Sequence, residues 1–419
     1  MYGYTEWRLP TKRLPQEKIE VEGIFHIDSI KESISFFNRS LVYKGTFAFE
    51  NQILPCRIYL KKGMRPPGNS DYKIAGTLVD KGDFSFVLKP SSAWIAQPSH
   101  FNLSEWRFCM KEKLHSFFKL KIQDPESRSL LFAIIAGEID EKILSLQFNR
   151  IGLQHLLTVS GFHFTLIALC IGFFLRMLLP YRLSNVALII VLSFYALFVG
   201  YSCAVVRAYI AAFVVLWGRL FDWKISGLNA LGIGLIFCLV DNPLNLLDIG
   251  FQFSFLCTLA LLLLYPILQH LFPPLDSWEI QRAPLLEQHL FLLKKGLRSS
   301  LCLTGAVHIA SIPLILFLFH KFSLLALVYN LLFPACIAFS LFLLILSLCL
   351  PWIGNILLPL CDKWTQGVLY FTSHPPVGLD FCLRTSSIGL CSLVTLIAIL
   401  FFIAIPLFEK VTLEKKHIV

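Results

Sequence analysis

The chain has 419 residues, of which 56% are hydrophobic and only 15% charged. A soluble domain carries nearer ~25% charged residues, so this composition excludes an ordinary soluble globular protein. The net charge of +10 suits anionic lipid at a membrane surface, and equally a polyanionic substrate.

Residues 1 to about 120 read as short strands and turns. SLVYKGTFAFE, LPCRIYLKK, DYKIAGTLVD and DFSFVLKP alternate apolar with polar residues, and RPPGNSD is a turn signal between two of them. Several short strands at regular spacing predict a small β-barrel or sandwich, and an OB-like barrel fits the size. Aromatic and basic residues interleave here: Tyr43, Lys44, Phe47, Phe49, Arg57, Tyr59, Lys61 and Lys62. Such a surface suits single strands, with bases stacked on aromatic rings above a basic groove. Ordinary alternation, with apolar residues inside and lysines outside, produces the same pattern.

A lysine-rich helix is expected from about 102 to 120. SRSLLFAIIAGEIDEKILSLQFNRIG then carries an apolar run too short to span a bilayer, so residues 121–152 read as an interfacial or re-entrant linker. Spanning candidates follow at 155–178, 184–200, 204–221, 227–240, 249–270, 300–319, 323–350 and 386–407, with a shorter ninth in 352–373. The expected fold is a polytopic α-helical membrane protein of about 8–9 spans over residues 153–409, preceded by the barrel domain.

Arg176 and Arg182 follow the first span, Arg219 and Lys224 the third, and Arg282, Lys294, Lys295 and Arg298 the fifth. The connections after the second and fourth spans carry no Lys or Arg. Cytoplasmic loops collect these residues. The odd connections and a tail from 410 to 419 are therefore expected in the cytoplasm, and the N-terminal domain outside. No apolar segment precedes that domain to export it, so either the first span translocates it or the chain begins upstream.

Ionisable groups at membrane depth cost about 2.5–3.5 kcal/mol each, which makes them functional candidates. His155 and His163 are eight residues apart, about 80° on the helical wheel, and fit one wall of a cavity better than a metal site. Ser160 and Gly161 between them allow a helix break or close approach. Arg207 suits phosphates if it faces a polar path, or it snorkels to the interface. Asp248 fits a helix cap, Gln252 stands one turn beyond it, and Asn330 is polar within the seventh span. His308 and His320 read as packing or interface residues. Of the 12 cysteines, ten lie beyond residue 150 as small apolar packers, while Cys56 and Cys109 are a possible bridge. No CxxC, HExxH, GxxxxGK[ST] or GxSxG occurs. Hence no metal, no cofactor, no nucleotide motor and no strong hydrolytic site is expected.

Four stretches together resemble the ComEC family of competence proteins. GEIDEKILSLQFNRIGLQHLLTVSGFHFTLIA is similar to its G-x-x-H-L-L-x-x-S-G-x-H signature, through Gly137, Glu138, Gly152, His155, Leu156, Leu157, Ser160, Gly161 and His163. YALFVGYSCAVVRAYIAAF supplies Gly200, Ser202, Arg207 and Ala208. DNPLNLLDIGFQFSF follows its third block, with Phe253 where the family prefers Leu. HKFSLLALVYNLLFPACIAF supplies Phe322, Ser323, Asn330 and Pro334. The resemblance implies an inner-membrane channel for single-stranded transforming DNA, with an extracytoplasmic OB domain. It makes His155, Ser160, Gly161, His163, Arg207, Asp248, Gln252 and Asn330 pathway candidates. The family often carries a C-terminal metallo-β-lactamase-like domain, and none is expected here. The implied partners are a separate nuclease, a cytoplasmic helicase-like motor, a DNA receptor on the outer face, single-stranded DNA and the bilayer. A small-solute or lipid transporter and a membrane-embedded hydrolase remain the competing readings. The first would be expected to show an inverted repeat, the second a catalytic pair, and neither is visible.

Overall fold

The computed structural model describes residues 19–34, 39–49, 52–61, 65–80, 86–97, 102–139, 141–272, 284–376, 381–385 and 389–418. The chain divides into two compact units, one of residues 1–120 with 140–142 and one of residues 121–139 with 143–419.

The first unit is a closed five-stranded barrel. Its strands are β1 (Ile19–Ile34), β2 (Arg39–Phe49), β3 (Gln52–Lys61), β4 (Asp71–Asp80) and β5 (Phe86–Pro90). They follow the order β1-β2-β3-β5-β4, and β1 pairs again with β4 to close the ring. All pairs are antiparallel except β3 with β5. This five-stranded arrangement is consistent with an OB-like barrel. The long β1 makes closure possible. A register shift between Ile27 and Ser29 turns it, so that its first half ladders on β4 and its second on β2. Gly45 sits opposite the turn, where a Cβ would stand 1.8 Å from the His26 carbonyl oxygen. Only glycine permits that approach.

Phe25, Ile27, Tyr43, Phe47, Ile58 and Ile74 fill the barrel and are fully buried. Trp94 packs edge-on against Phe25, Tyr43 and Tyr72, just before the short strand β6 (Ile95–Gln97), which extends β4. Helix α1 (Leu103–Lys121) is fastened to the barrel through its first turns. Glu105 pairs with Arg65 and accepts the Gly68 amide at 2.7 Å, and Arg65 lies over the Phe108 ring. Cys56 and Cys109 are both free thiols.

The second unit is helical. Helix α2 (Pro125–Ala136) is capped by Asp124, whose carboxylate accepts the Ser127 amide at 2.7 Å, and it ends at Gly137 with φ 71°. Its apolar run is buried against α5, α10 and α11, with Leu130, Leu131, Ala133 and Ile134 at 0% exposure. After α3 (Lys142–Arg150) and a 3-10 turn over 154–157 come α4 (Gly161–Leu178), α5 (Tyr181–Val199), α6 (Cys203–Leu220), α7 (Gly227–Asp241) and α8 (Ile249–Leu271). Then follow α9 (Leu285–Phe319), α10 (Leu325–Cys349), α11 (Pro351–Ser373) and α12 (Leu390–Ile418).

Seven helices among the described residues are long and apolar enough to cross a membrane: α4, α5, α6, α8, α9, α10 and α12. Helix α7 is apolar but shorter, and α11 does not meet the same test. At most 44% of any spanning stretch is buried, and side chains such as Phe173, Leu178 and Phe402 project outward. Such a surface is stable in lipid and not in water. This is a multi-pass membrane protein. The first span begins at Gly161 rather than 155, because Ser160 breaks the chain into an extended conformation at the helix entrance. Helix α9 runs for 35 residues, well upstream of the apolar part that hydropathy marks. A small two-stranded sheet joins β7 (Lys321–Ser323) to β8 (Cys382–Arg384).

Candidate functional site

On the barrel, residue parity decides which predicted contacts reach solvent. Lys44 on β2 and Arg57 on β3 are directly paired in the ladder, and both are exposed. Tyr59 follows on the same face at 44% exposure, and Lys31 on β1 lies beside it across Val42. Partial burial of its stem, together with the charges of Lys31 and Arg57, holds the Lys44 ammonium below the usual lysine range. The outer face of β2–β3 therefore carries crowded positive charge next to an exposed ring. In OB barrels this is the oligonucleotide face.

Tyr43 and Phe47 correct the sequence expectation. Both point into the barrel at 0% exposure, where neither ring can stack on a base. Tyr43 instead donates its hydroxyl to the Pro66 carbonyl at 2.9 Å. Strand side chains alternate faces, so 43 and 47 cannot share a surface with 44. Lys61 pairs with Ser40 at the end of β3, with its side chain outside the described residues, as is all of Lys62.

In the membrane unit, His163 reaches back from the first turn of α4. Its Nδ1 accepts the Ser160 amide at 3.2 Å and lies 3.1 Å from the Ser160 hydroxyl. The ring is wholly buried, and its Nε2 has no hydrogen-bond partner. The capping arrangement holds Ser160 and His163 together (Ser160 being the break before the helix). His155 stands in the 3-10 turn before it, exposed, and its carbonyl accepts the Thr158 hydroxyl at 3.0 Å.

Arg207 lies on the second turn of α6. Its Nε donates to the Ser254 hydroxyl on α8 at 2.7 Å. A Cβ at Gly161 would stand 2.9 Å from its terminal nitrogen, and one at Gly234 on α7 3.7 Å from its Cγ. The side chain thus runs between helices rather than out to the lipid interface.

Asp248 caps α8 by accepting the Phe251 amide at 2.7 Å, and Gln252 donates to the Leu246 carbonyl at 2.9 Å. These bonds fix the turn between α7 and α8. Tyr201, from the connection between α5 and α6, donates to Asp241 at the end of α7 at 2.7 Å, and buried Asn245 donates to the Cys238 carbonyl at 2.8 Å. Asn330 approaches His308 Nε2 at 3.3 Å, and His308 Nδ1 donates to the Thr304 carbonyl at 2.8 Å. The structure thus gathers Gly161 with Arg207, and Asn330 with His308, and leaves Asp248 and Gln252 on a separate turn. Ser254 and Gly234 are partners that sequence reasoning missed, and His308, expected only as a packing or interface residue, meets Asn330; each is distant in the chain from the residue it meets. Among the described residues, no group of His, Cys, Asp and Glu side chains could hold a metal ion.

A family model described as competence protein matches residues 136–410. The chain belongs to the competence protein family. Over 219 residues it is 24% identical to ComE operon protein 3 of Bacillus subtilis (strain 168). That stretch covers 51% of this chain but only 25% of the relative, so the chain matches a quarter of that protein's length. No solved structure matches it. The matched residues 136–410 contain every membrane-unit candidate above, from His155 to Asn330, while the barrel lies outside them.

Proposed function

We propose that this competence-family chain is a channel that takes single-stranded transforming DNA across the bacterial inner membrane. The observation that carries the reading is the outer face of β2–β3, where Lys44 and Arg57 pair beside Tyr59 and Lys31. A phosphate backbone relieves the crowding of those cations, and an exposed tyrosine offers a base a stacking surface. The barrel faces outward and engages the strand. The helical unit conducts it and performs no chemistry upon it. The charge pattern of the connections supports this orientation, with Arg176, Arg182, Arg219 and Lys224 on the cytoplasmic side. Force and strand degradation come from other proteins, a helicase-like motor inside and a nuclease, and a DNA receptor delivers the strand outside.

Two measurements test this. In cells, fluorescent nuclease-resistant DNA should reach the cytoplasm only when the gene is present, and equal arrival in a deletion strain would sink the reading. In vitro, the full chain should bind oligothymidylate with affinity that falls as salt rises. Changing Lys44 and Arg57 together to Gln should lower the salt slope by roughly 1.4, at about 0.7 per phosphate contact on single strands. Tyr59→Ala should cost ~1–3 kcal/mol of binding with the slope unchanged. Loss of neither slope nor affinity would remove the barrel face from the mechanism.

A further inference from the structure

Helices α4, α6 and α8 bring their N-terminal turns to one point, and that point is a guanidinium. Arg207 stands on the second turn of α6, bonds Ser254 on the second turn of α8, and lies against Gly161, the first residue of α4. Each helix N-terminus carries roughly half a positive charge. Asp248 offsets the end of α8 by accepting the Phe251 amide, whereas α4 and α6 begin at Ser160 and Ser202 with no carboxylate cap.

Among the described residues no carboxylate pairs with Arg207, and its terminal nitrogens bond no side chain. Asp248 and Asp241 accept other donors, the Phe251 amide and the Tyr201 hydroxyl. The side chain is nonetheless partly accessible. Small residues surround it: Gly161, Gly234 and Ser254 leave room that larger side chains would fill. A half-buried guanidinium whose terminal nitrogens meet no carboxylate keeps donors free, so this arrangement fits one that is completed by an anionic ligand.

We propose that Arg207, held by Ser254 and laid against Gly161, is a binding site for a phosphodiester of the translocating strand. A phosphodiester carries one charge and presents two free oxygens, which match the guanidinium fork. The site lies among four helices rather than on the outward apolar surface, which favours a strand over a lipid headgroup. The inference rests on the strand-conducting reading and adds a membrane contact that the barrel face does not provide.

The test uses the full chain in nanodiscs of phosphatidylcholine, with oligothymidylate binding followed by fluorescence anisotropy across a salt series. Arg207→Gln should weaken binding several-fold and lower the salt slope by about 0.7, the value of one phosphate contact. Arg207→Lys should restore the slope and only part of the affinity. Gly161→Ala should weaken binding while the charge remains, because it displaces the guanidinium. An oligonucleotide with a neutral methylphosphonate backbone should not distinguish wild type from Arg207→Gln. Wild-type slope and affinity in Arg207→Gln would overturn the inference, and if that variant fails to fold, unchanged affinity in Arg207→Lys and Gly161→Ala would do so. If phosphatidylglycerol added to the discs erases the difference between wild type and Arg207→Gln, the site belongs to lipid and the inference also falls. Failure of the wild type to bind oligothymidylate at all would instead overturn the channel reading itself.

Discussion

Cys56 shows how far a residue's behaviour is set by its face of a strand. It sits between exposed Pro55 and exposed Arg57, yet it is 2% accessible, and burial pushes its thiol up to about 12. The same burial raises the Tyr43 phenol to about 12. At pH 7.5 the Cys56 peptide should remain unmodified by maleimide in folded protein, and it should label once denaturant opens the barrel. Rapid labelling of native protein would show that the barrel is not closed around it. The sign with pH follows. A thiol whose folded value lies above its unfolded value of about 8.5 stays protonated in the native state while the unfolded chain releases its proton. Its contribution is complete below pH about 8.5 and is lost as pH rises toward 12, so the barrel should weaken progressively in alkali. Cys56→Ala should flatten part of that decline in thermal melts. At this scale the sequence was half legible. Alternation separates Lys44, Arg57 and Tyr59 from Tyr43 and Phe47, and reading the residue types without the parity merged two faces. Arg207 was marked as a cation in an apolar segment, but its partners on α4, α7 and α8 come from packing that no local pattern encodes.

Among the elements, glycines mark where helices and strands meet most closely. Gly45→Ala places a methyl group against the His26 carbonyl, and the strands must separate for it to fit. A loss on the order of 2–4 kcal/mol is expected, in the range of severe core disruption. Gly137→Ala strains a left-handed helix end and brings a methyl group to 3.3 Å from the Val159 side chain, which can shift, and should cost ~1–2 kcal/mol. Chemical denaturation that reversed this order would contradict the closure described for β1 and β2. Strand and span existence were readable from period and hydropathy, since both patterns are local. The limits of α9 were not, because hydropathy reports residence in lipid while a helix continues into water without notice. The pairing of β7 with β8 was hidden for another reason. Lys321 meets Arg384 across an intervening pair of helices, and three-residue strands carry no periodic signal.

For the whole molecule, the two units divide the labour that the net charge of +10 left ambiguous. One unit presents cations to water on a barrel face, and the other keeps a few polar groups among apolar helices. Orientation is testable without any substrate. Cysteines introduced singly into a cysteine-free background should react with an impermeant maleimide in intact cells at Tyr201, and should not react at Trp223. The opposite pattern would invert the topology and place the barrel in the cytoplasm, where it could not receive incoming DNA.

The shortness of α7 has a consequence for the membrane itself. Fifteen residues rise about 22 Å, whereas the hydrocarbon layer is about 30 Å thick. Its neighbours α6 and α8 are longer, so α7 and the turn carrying Asn242, Asn245 and Asp248 match the hydrocarbon layer only where that layer thins or the turn dips into it. The bonds of Asn242, Asn245 and Asp248 to Leu244, Cys238 and Phe251 let such a turn sit at that depth, and the remaining polar atoms draw water toward it. A locally thinner insulating layer lowers the electrostatic barrier that a charged polymer meets beside α7.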